Sequence, residues 1–265
     1  SISDNIYTNK ITLGVYELGS VFKTFTIAAG LENKVINPNT IFKNLETSLT
    51  CDKYTISEHD KLPKNLSVEQ ILVRSSNIGS VKIAQKVGME NYKEFLNSLE
   101  LFQKINFELD EVGVPLSFKW GKCKLATASF GRGIATTPLQ LARAYAILGN
   151  GGYKIQPFIL KNKISSIKKG KQIVSTDTSD AINSMLRKVV SLDEGTANFA
   201  NVKGYEVGGK TGSSVKYGND AKLNTFVSLF PASKPKYVLL VMLDEPKSAP
   251  NFIYDMPPSK KFPNG

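Results

Sequence analysis

The stretch Tyr16-Glu-Leu-Gly-Ser-Val-Phe-Lys-Thr-Phe-Thr-Ile-Ala-Ala-Gly30 reads as a turn that feeds a helix, with Gly19 at the turn and Gly30 as a stop. Ser20 and Lys23 stand three apart at the start of that helix, so they share one face a turn apart. A serine hydroxyl is a weak nucleophile until a neighbouring base removes its proton, and an unprotonated lysine is such a base. Burial and nearby cations lower a lysine's pKa toward the working range. The helix N-terminus adds stabilisation for negative charge developing at the serine. The spacing alone assigns nothing, because Ser-x-x-Lys recurs at Ser165, Ser166, Ser213 and Ser233 in this lysine-rich chain.

Two further stretches bear on the same chemistry. Ser75-Ser76-Asn77 falls in a break between two helical patterns. A hydroxyl there can relay a proton to a leaving amine, and the Asn77 amide can orient a peptide bond. The plainer reading is a helix cap, since Ser and Asn are favoured there. Ser3-Asp4-Asn5 has the same Ser-x-Asn form but precedes Ser20, in the wrong order. In Gly208-Gly-Lys-Thr-Gly-Ser213, Lys210 supplies a fixed positive charge and Thr211 a hydroxyl for a substrate carboxylate. The flanking glycines let an extended peptide approach the backbone as an added strand. A glycine-rich bend is the plain alternative.

Around these stretches the chain divides into a helical part and a strand part. From Asn33 to Leu62 it is polar and irregular. Ser67-Val-Glu-Gln70 has capping-box spacing. A helix carrying Ile83, Ala84 and Val87 ends at Gly88, and the next places Tyr92, Phe95, Leu96 and Leu99 on one stripe. Thr137-Pro138 supplies a cap and a first-turn proline to a helix through Leu141 and Tyr145, which Gly149-Asn-Gly-Gly152 terminates. Another stripe joins Ile182, Met185, Leu186, Val189 and Val190. After Gly195 the pattern turns to strands: Tyr205 to Gly212, Thr225 to Ala232, and Tyr237 to Leu243. The last is apolar at successive positions from Val238 to Leu243, which predicts burial of both its faces and helices covering both sides of the sheet.

The 265 residues are ordinary for a folded protein, with 41% hydrophobic and 22% charged. A net charge of +11 suits an acidic partner: nucleic acid, an anionic membrane surface or an anionic glycan-peptide polymer. No nucleic-acid signature with interleaved aromatics is present. The lysines are scattered apart from Lys161, Lys163, Lys168, Lys169 and Lys171, which read as a solvated hairpin. Cys51 and Cys123 are far apart and outside any C-x-x-C pair; two buried thiols are the plainer expectation, with a disulfide as the alternative. His59 is the only histidine, too few for a zinc site. The longest apolar run is too short to cross a bilayer. The chain opens with Ser1 and stops in a Pro/Lys-rich tail, and is read as a piece of a longer protein.

Ser-x-x-Lys, Ser-x-Asn and Lys-Thr-Gly, in this order, form a motif set shared by penicillin-binding proteins and class A β-lactamases. With it, the chain resembles the transpeptidase domain of class B penicillin-binding proteins, most closely the division-specific septal type. The resemblance runs from Tyr16-Glu-Leu-Gly-Ser-Val-Phe-Lys23 through Val73-Arg-Ser-Ser-Asn-Ile-Gly79 and Phe130-Gly-Arg-Gly-Ile-Ala-Thr-Thr-Pro-Leu-Gln-Leu-Ala142. It continues in Glu194-Gly-Thr-Ala197, Val207-Gly-Gly-Lys-Thr-Gly212 and Phe230-Pro-Ala-Ser-Lys-Pro-Lys-Tyr237, and closes at Asp244-Glu-Pro-Lys247.

The resemblance implies an α/β fold of the α+β type. An antiparallel sheet is flanked by helices and carries an inserted all-helical lobe. About residues 31–150 are expected to form a mainly helical lobe, and residues 151–247 return to the sheet and the Lys-Thr-Gly strand. The implied activity is a serine D,D-transpeptidase, acting in septal cell-wall synthesis. Ser20 attacks the D-Ala-D-Ala amide with Lys23 as base, and Ser75 passes a proton to the departing D-Ala. Asn77 positions the acyl donor, Lys210 and Thr211 hold its carboxylate, and the amides of Ser20 and Ser213 beside Gly212 receive the oxyanion. Peptidoglycan stem peptides are the donor and acceptor, β-lactams acylate Ser20, and no cofactor or metal is needed. A membrane glycosyltransferase and divisome proteins are the implied partners. The implied location is the bacterial inner membrane, with the catalytic domain on the periplasmic side. A β-lactamase, a D,D-carboxypeptidase of the same fold and a non-catalytic divisome scaffold are the rival readings; no Glu-x-x-Leu-Asn of the class A type is found.

The sequence departs from the family at Leu18, where Pro is usual, at Val21, where Thr is usual, and at Ser213-Ser214, where Thr-Ala is usual. Two strands that open the family's sheet and the helix that closes it are not recognisable. An exposed strand edge and poor stability of residues 1–265 in isolation are therefore expected.

Overall fold

The computed structural model describes residues 8–52, 54–116, 118–161, 170–216 and 220–247. A 3-10 turn at Gly19–Phe22 runs directly into helix α1, Lys23–Glu32. Helices α2 (Val68–Val73), α3 (Asn77–Val87), α4 (Met89–Ser98) and α5 (Lys122–Ala128) follow, then α6 (Pro138–Gly149) and α7 (Thr176–Ser191). The chain ends, among the described residues, in strands β5 (Gly208–Val215), β6 (Lys222–Phe230) and β7 (Tyr237–Asp244). These three form one antiparallel sheet in the order β5-β6-β7, with Lys210 opposite Val227 and Ser213 opposite Asn224. The expected antiparallel sheet with helices and a helical part ahead of it is therefore what the chain forms.

The capping predictions hold at atomic detail. The Ser67 hydroxyl accepts from the Gln70 amide while Gln70 reaches back to the Ser67 amide, and Thr137 and Gln140 repeat the pattern ahead of Pro138. The stripes on α4 and α7 are buried as their period requires, including Tyr92, Leu96, Met185 and Val189. Gly30, read as a stop, instead lies inside α1. A side chain there would collide with Ile36 and Ile83, so the glycine serves the close approach of α1 and α3.

Three expectations are corrected. The polar stretch from Asn33 to Leu62 is not irregular throughout: β1 (Ile41–Phe42) pairs with β4 (Leu66–Ser67), and β2 (Ser48–Cys51) makes a hairpin with β3 (Tyr54–Ser57). Alternation there is masked by polar residues, because the hairpin is mostly exposed. Cys51 and Cys123 form a disulfide rather than two thiols, tying the β2–β3 turn to α5. Finally, β7 is not buried on both faces. Val238, Leu240 and Met242 pack against the core, whereas Tyr237, Leu239, Val241 and Leu243 are 60%, 49%, 43% and 56% exposed. Helices α6 and α7 pack on one side of the sheet, and among the described residues nothing covers the other side of β7. Of the lysine cluster read as a hairpin, Lys163, Lys168 and Lys169 lie outside the described residues; the flanking residues Tyr153 and Gln172 form an antiparallel bridge.

Candidate active site

Three separate elements meet around Ser75. The break between α2 and α3 places Ser75 at φ 58°, a left-handed conformation that costs a non-glycine residue of the order of 1 kcal/mol or more. That conformation turns the Ser75 carbonyl and hydroxyl toward the start of α1. Lys23 Nζ donates to the Ser75 carbonyl at 2.5 Å and lies 3.0 Å from Ser75 Oγ. From β5, Lys210 Nζ reaches the same hydroxyl at 2.9 Å and also donates to the Thr211 carbonyl at 3.1 Å. Both lysines are fully buried.

Two ammonium groups cannot share one buried hydroxyl cheaply. Their repulsion at such separation is on the order of 3 kcal/mol at the effective dielectric of protein sites, and each also loses its hydration. Burial, with the Lys210 charge second, holds Lys23 well below the usual lysine range, partly offset by the Glu58 carboxylate. Burial lowers Lys210 to about 7. A neutral amine accepts a proton from a hydroxyl that in turn accepts one from an ammonium. Lys23, Ser75 and Lys210 thus make a short path along which a proton can pass.

Ser20 sits half-buried in the 3-10 turn just ahead of Lys23. Its turn is wedged between two backbones. On one side Gly212 abuts the Leu18 carbonyl and the Val21 amide, and Gly19, at φ 63°, lies against the backbone of Ser213. On the other, Gly131 approaches the Gly19 carbonyl so closely that a Cβ at 131 would fall on it. The Tyr145 hydroxyl on α6 donates to the Val21 carbonyl at 2.8 Å and meets the Thr24 hydroxyl at 2.8 Å, fixing the turn from beneath. The departures from the family pattern have local consequences. Leu18 and Val21 are buried in the core, and the Ser214 hydroxyl donates to the Glu17 carbonyl at 2.5 Å, an added link between β5 and the turn.

Asn77, the first residue of α3, donates through Nδ2 to the Ser57 carbonyl at 2.8 Å. That contact fixes which end of the amide is nitrogen and leaves Oδ1 buried without a partner among the described residues. The Thr211 hydroxyl is 3.4 Å from that of Thr196, and Ser213, exposed, donates from its hydroxyl to Asn224 Oδ1 at 3.0 Å. Sequence reasoning missed Glu58, Gly131's role and Tyr145's hydroxyl. Gly131 was inside the Phe130–Ala142 match, but nothing in a sequence says which backbone a glycine meets. Among the described residues no group of three or more His, Cys, Asp or Glu is placed to hold a metal ion.

The penicillin-binding protein transpeptidase domain model matches residues 3–256. The chain belongs to this family. Across 263 residues it is 32% identical to the probable peptidoglycan D,D-transpeptidase FtsI of Caulobacter vibrioides, covering 94% of this chain and 44% of that protein. It is 33% identical to peptidoglycan D,D-transpeptidase FtsI of Buchnera aphidicola, over 91% of this chain and 43% of that one. The chain therefore spans less than half the length of these relatives. The transpeptidase domain of Burkholderia pseudomallei penicillin-binding protein 3 superposes with a TM-score of 0.84 at 29% identity, covering 90% of this chain and 74% of that chain. Penicillin-binding protein 3 of Mycobacterium tuberculosis, complexed with aztreonam, gives 0.79 at 25% identity over 90% and 58%. The fold is thus that of the penicillin-binding protein transpeptidase domain, and the lobe expected to be all-helical also carries the short strands β1 to β4.

Gly131 offers a test of how tightly the Ser20 turn is held. With φ at 83° and the Gly19 carbonyl where a side chain would go, Gly131→Ala must shift backbone rather than a flexible side-chain tip. A loss of about 1–3 kcal/mol is expected, read as a lower melting temperature of the full-length protein together with slower penicillin labelling. An unchanged melting point and labelling rate would show that the turn yields at little cost.

Proposed function

We propose that this chain is the catalytic domain of a serine D,D-transpeptidase that cross-links peptidoglycan stem peptides through an acyl-enzyme on Ser20, in septal cell-wall synthesis. The observation that carries this reading is the Ser75 hydroxyl held between two buried lysines, Lys23 and Lys210, beside the Ser20 turn. Neutral Lys23 takes the proton of Ser20 as its oxygen bonds to the D-Ala-D-Ala carbonyl. The oxyanion is received by the backbone amides of Ser20 and Ser213, whose chains lie together where Gly19 meets β5. As the amide breaks, the proton passes through Ser75 to the departing D-Ala nitrogen. The donor lies along β5 at Gly212, with its carboxylate on Lys210 and Thr211, and Asn77 positions it. A stem-peptide amine then attacks the ester and restores Ser20. β-Lactams enter as donor mimics.

A pH dependence follows from the two lysines. Acylation needs Lys23 neutral and Lys210 charged, so the rate rises as Lys23 loses its proton and falls as Lys210 does. Because the second-order acylation constant reports the free enzyme, its falling limb is expected at about 7, with the rising limb below it. Lys210→Arg keeps the charge at all working pH values and removes the falling limb. Stopped-flow acylation with a fluorescent penicillin between pH 5 and 9 measures both; a limb that persists in the arginine variant assigns it elsewhere.

The septal role, membrane anchorage on the periplasmic side, and glycosyltransferase and divisome partners complete the proposal. They are supported by likeness to proteins named FtsI. Among the described residues no helix is long and apolar enough to cross a membrane. The deciding experiment incubates the full-length protein with a D-Ala-D-Ala donor and an amine acceptor, following D-Ala release and cross-linked product by mass spectrometry. Released D-Ala with only hydrolysed donor would favour a carboxypeptidase. Turnover of a chromogenic cephalosporin would favour a β-lactamase, and no acyl-enzyme at all a non-catalytic scaffold.

A further inference from the structure

Glu58 has entered so far only as a charge acting on Lys23, yet it leaves β3 and ends in contact with the turn that presents Ser75. Its carboxylate accepts from the Ser76 hydroxyl at 2.6 Å, the Asn77 amide at 2.7 Å and the Ile78 amide at 3.0 Å. Three donors on one carboxylate leave the first turn of α3 little freedom, and the negative charge complements the helix N-terminus. The preceding carbonyl, Ser57, holds the Asn77 side chain at 2.8 Å. Two consecutive residues of one strand exit thus fix both the backbone and the side chain of the Ser-x-Asn motif. The hairpin that delivers them is pinned at its far end, where the disulfide joins Cys51 to Cys123 on α5, and α5 in turn packs on α3.

We propose that Glu58 is the positioning residue of this active site: its carboxylate holds the Ser76–Ile78 backbone and so sets the Ser75–Asn77 turn against Lys23, with its negative charge opposing the buried cation there. The inference rests on the transpeptidase reading. Glu58 acts on Lys23 through its charge as well as through the turn, since it is the anion that opposes the lowering of Lys23's pKa. The other groups that act on or feel Lys23 are Lys210 from β5 and His59, whose own pKa is lowered by burial first and by Lys23 next. Asp60 and Arg132 act on His59 with opposite signs. Removing the carboxylate leaves the Lys210 charge acting on Lys23 with no anion to offset it.

The test measures fluorescent-penicillin acylation against pH, with melting temperature, on the full-length protein and its Glu58→Gln, Glu58→Asp and Ser20→Ala forms. Glu58→Gln is expected to slow acylation roughly 10- to 100-fold, the effect of a catalytic group displaced by about an ångström. Its rising limb is expected to move to lower pH, because a lysine without its anion loses its proton more easily. Glu58→Asp keeps the charge but draws back from Ser76 and the two amides, so its rate falls while its rising limb stays in place. A purely structural cap would lower the melting temperature and rate without moving the limb in Glu58→Gln, and that result overturns the proposal. Parental rates in Glu58→Gln overturn it too. If Glu58→Gln does not fold, Glu58→Asp decides, a parental rate counting against. A parent that penicillin labels no faster than Ser20→Ala removes the transpeptidase reading itself, whereas Ser20-dependent labelling untouched by Glu58→Gln removes only this inference.

Discussion

Ser20→Ala is expected to abolish covalent labelling of the full-length protein by penicillin, at least about 10⁴-fold below the parent. Alanine keeps the backbone of the 3-10 turn, including the amide beside Ser213, and removes only the oxygen proposed to take the acyl group. The hydroxyl belongs to a half-buried side chain at a turn already held by Gly131, Gly212 and the Tyr145 hydroxyl, so the fold has little reason to respond. A melting temperature within a degree or two of the parent should accompany the loss. Labelling of the alanine form at the parental rate would move the nucleophile to another residue, and the whole arrangement of roles with it.

Lys23→Met should leave Ser20 in place and slow its acylation roughly 10²- to 10⁴-fold, the usual range for removing a positioned base. Methionine has similar length and fits a fully buried position. What it cannot do is take the serine proton or donate to the Ser75 carbonyl and hydroxyl. The stability change is a difference of opposed terms. The Ser75 carbonyl loses a donor, while the cost of burying a polar amine disappears, so the two effects oppose each other. Slow labelling with an undisturbed melting curve, and loss of the rising pH limb, is the expected pattern. A variant that acylates at the parental rate with its rising limb intact would assign the base to another group.

Helix positions and caps were legible because they depend on neighbours in the chain. Ser67-Val-Glu-Gln70 and Thr137-Pro138 carry their hydrogen-bond partners within three residues, so reading them needs no fold. The stripe on α7 needs only a period. The strand β7 was misread for the complementary reason. An unbroken apolar run is the pattern of a strand covered on both faces, yet Tyr237, Leu239, Val241 and Leu243 are open to solvent among the described residues. Whether a second layer covers a strand depends on which other segments reach it, and no residue in β7 encodes that. The cysteines make the same point. A sequence separation of 72 neither favours nor forbids a bond until a hairpin and a helix are placed with their Cα atoms 5.5 Å apart.

The order of Ser20, Lys23, Ser75, Asn77, Lys210 and Thr211 along the chain, each in its local setting of helix start, helix break or strand, determined by itself which chemistry to expect. Such settings arise from short-range hydrogen bonding and side-chain period, which one sequence displays in full. Only the tertiary structure decided that Lys23 and Lys210 converge on one hydroxyl, that both are dry enough to lose protons easily, and that Glu58 holds the turn between them. Desolvation and charge proximity depend on distances between segments far apart in the chain, and those distances exist only once the core has closed around them.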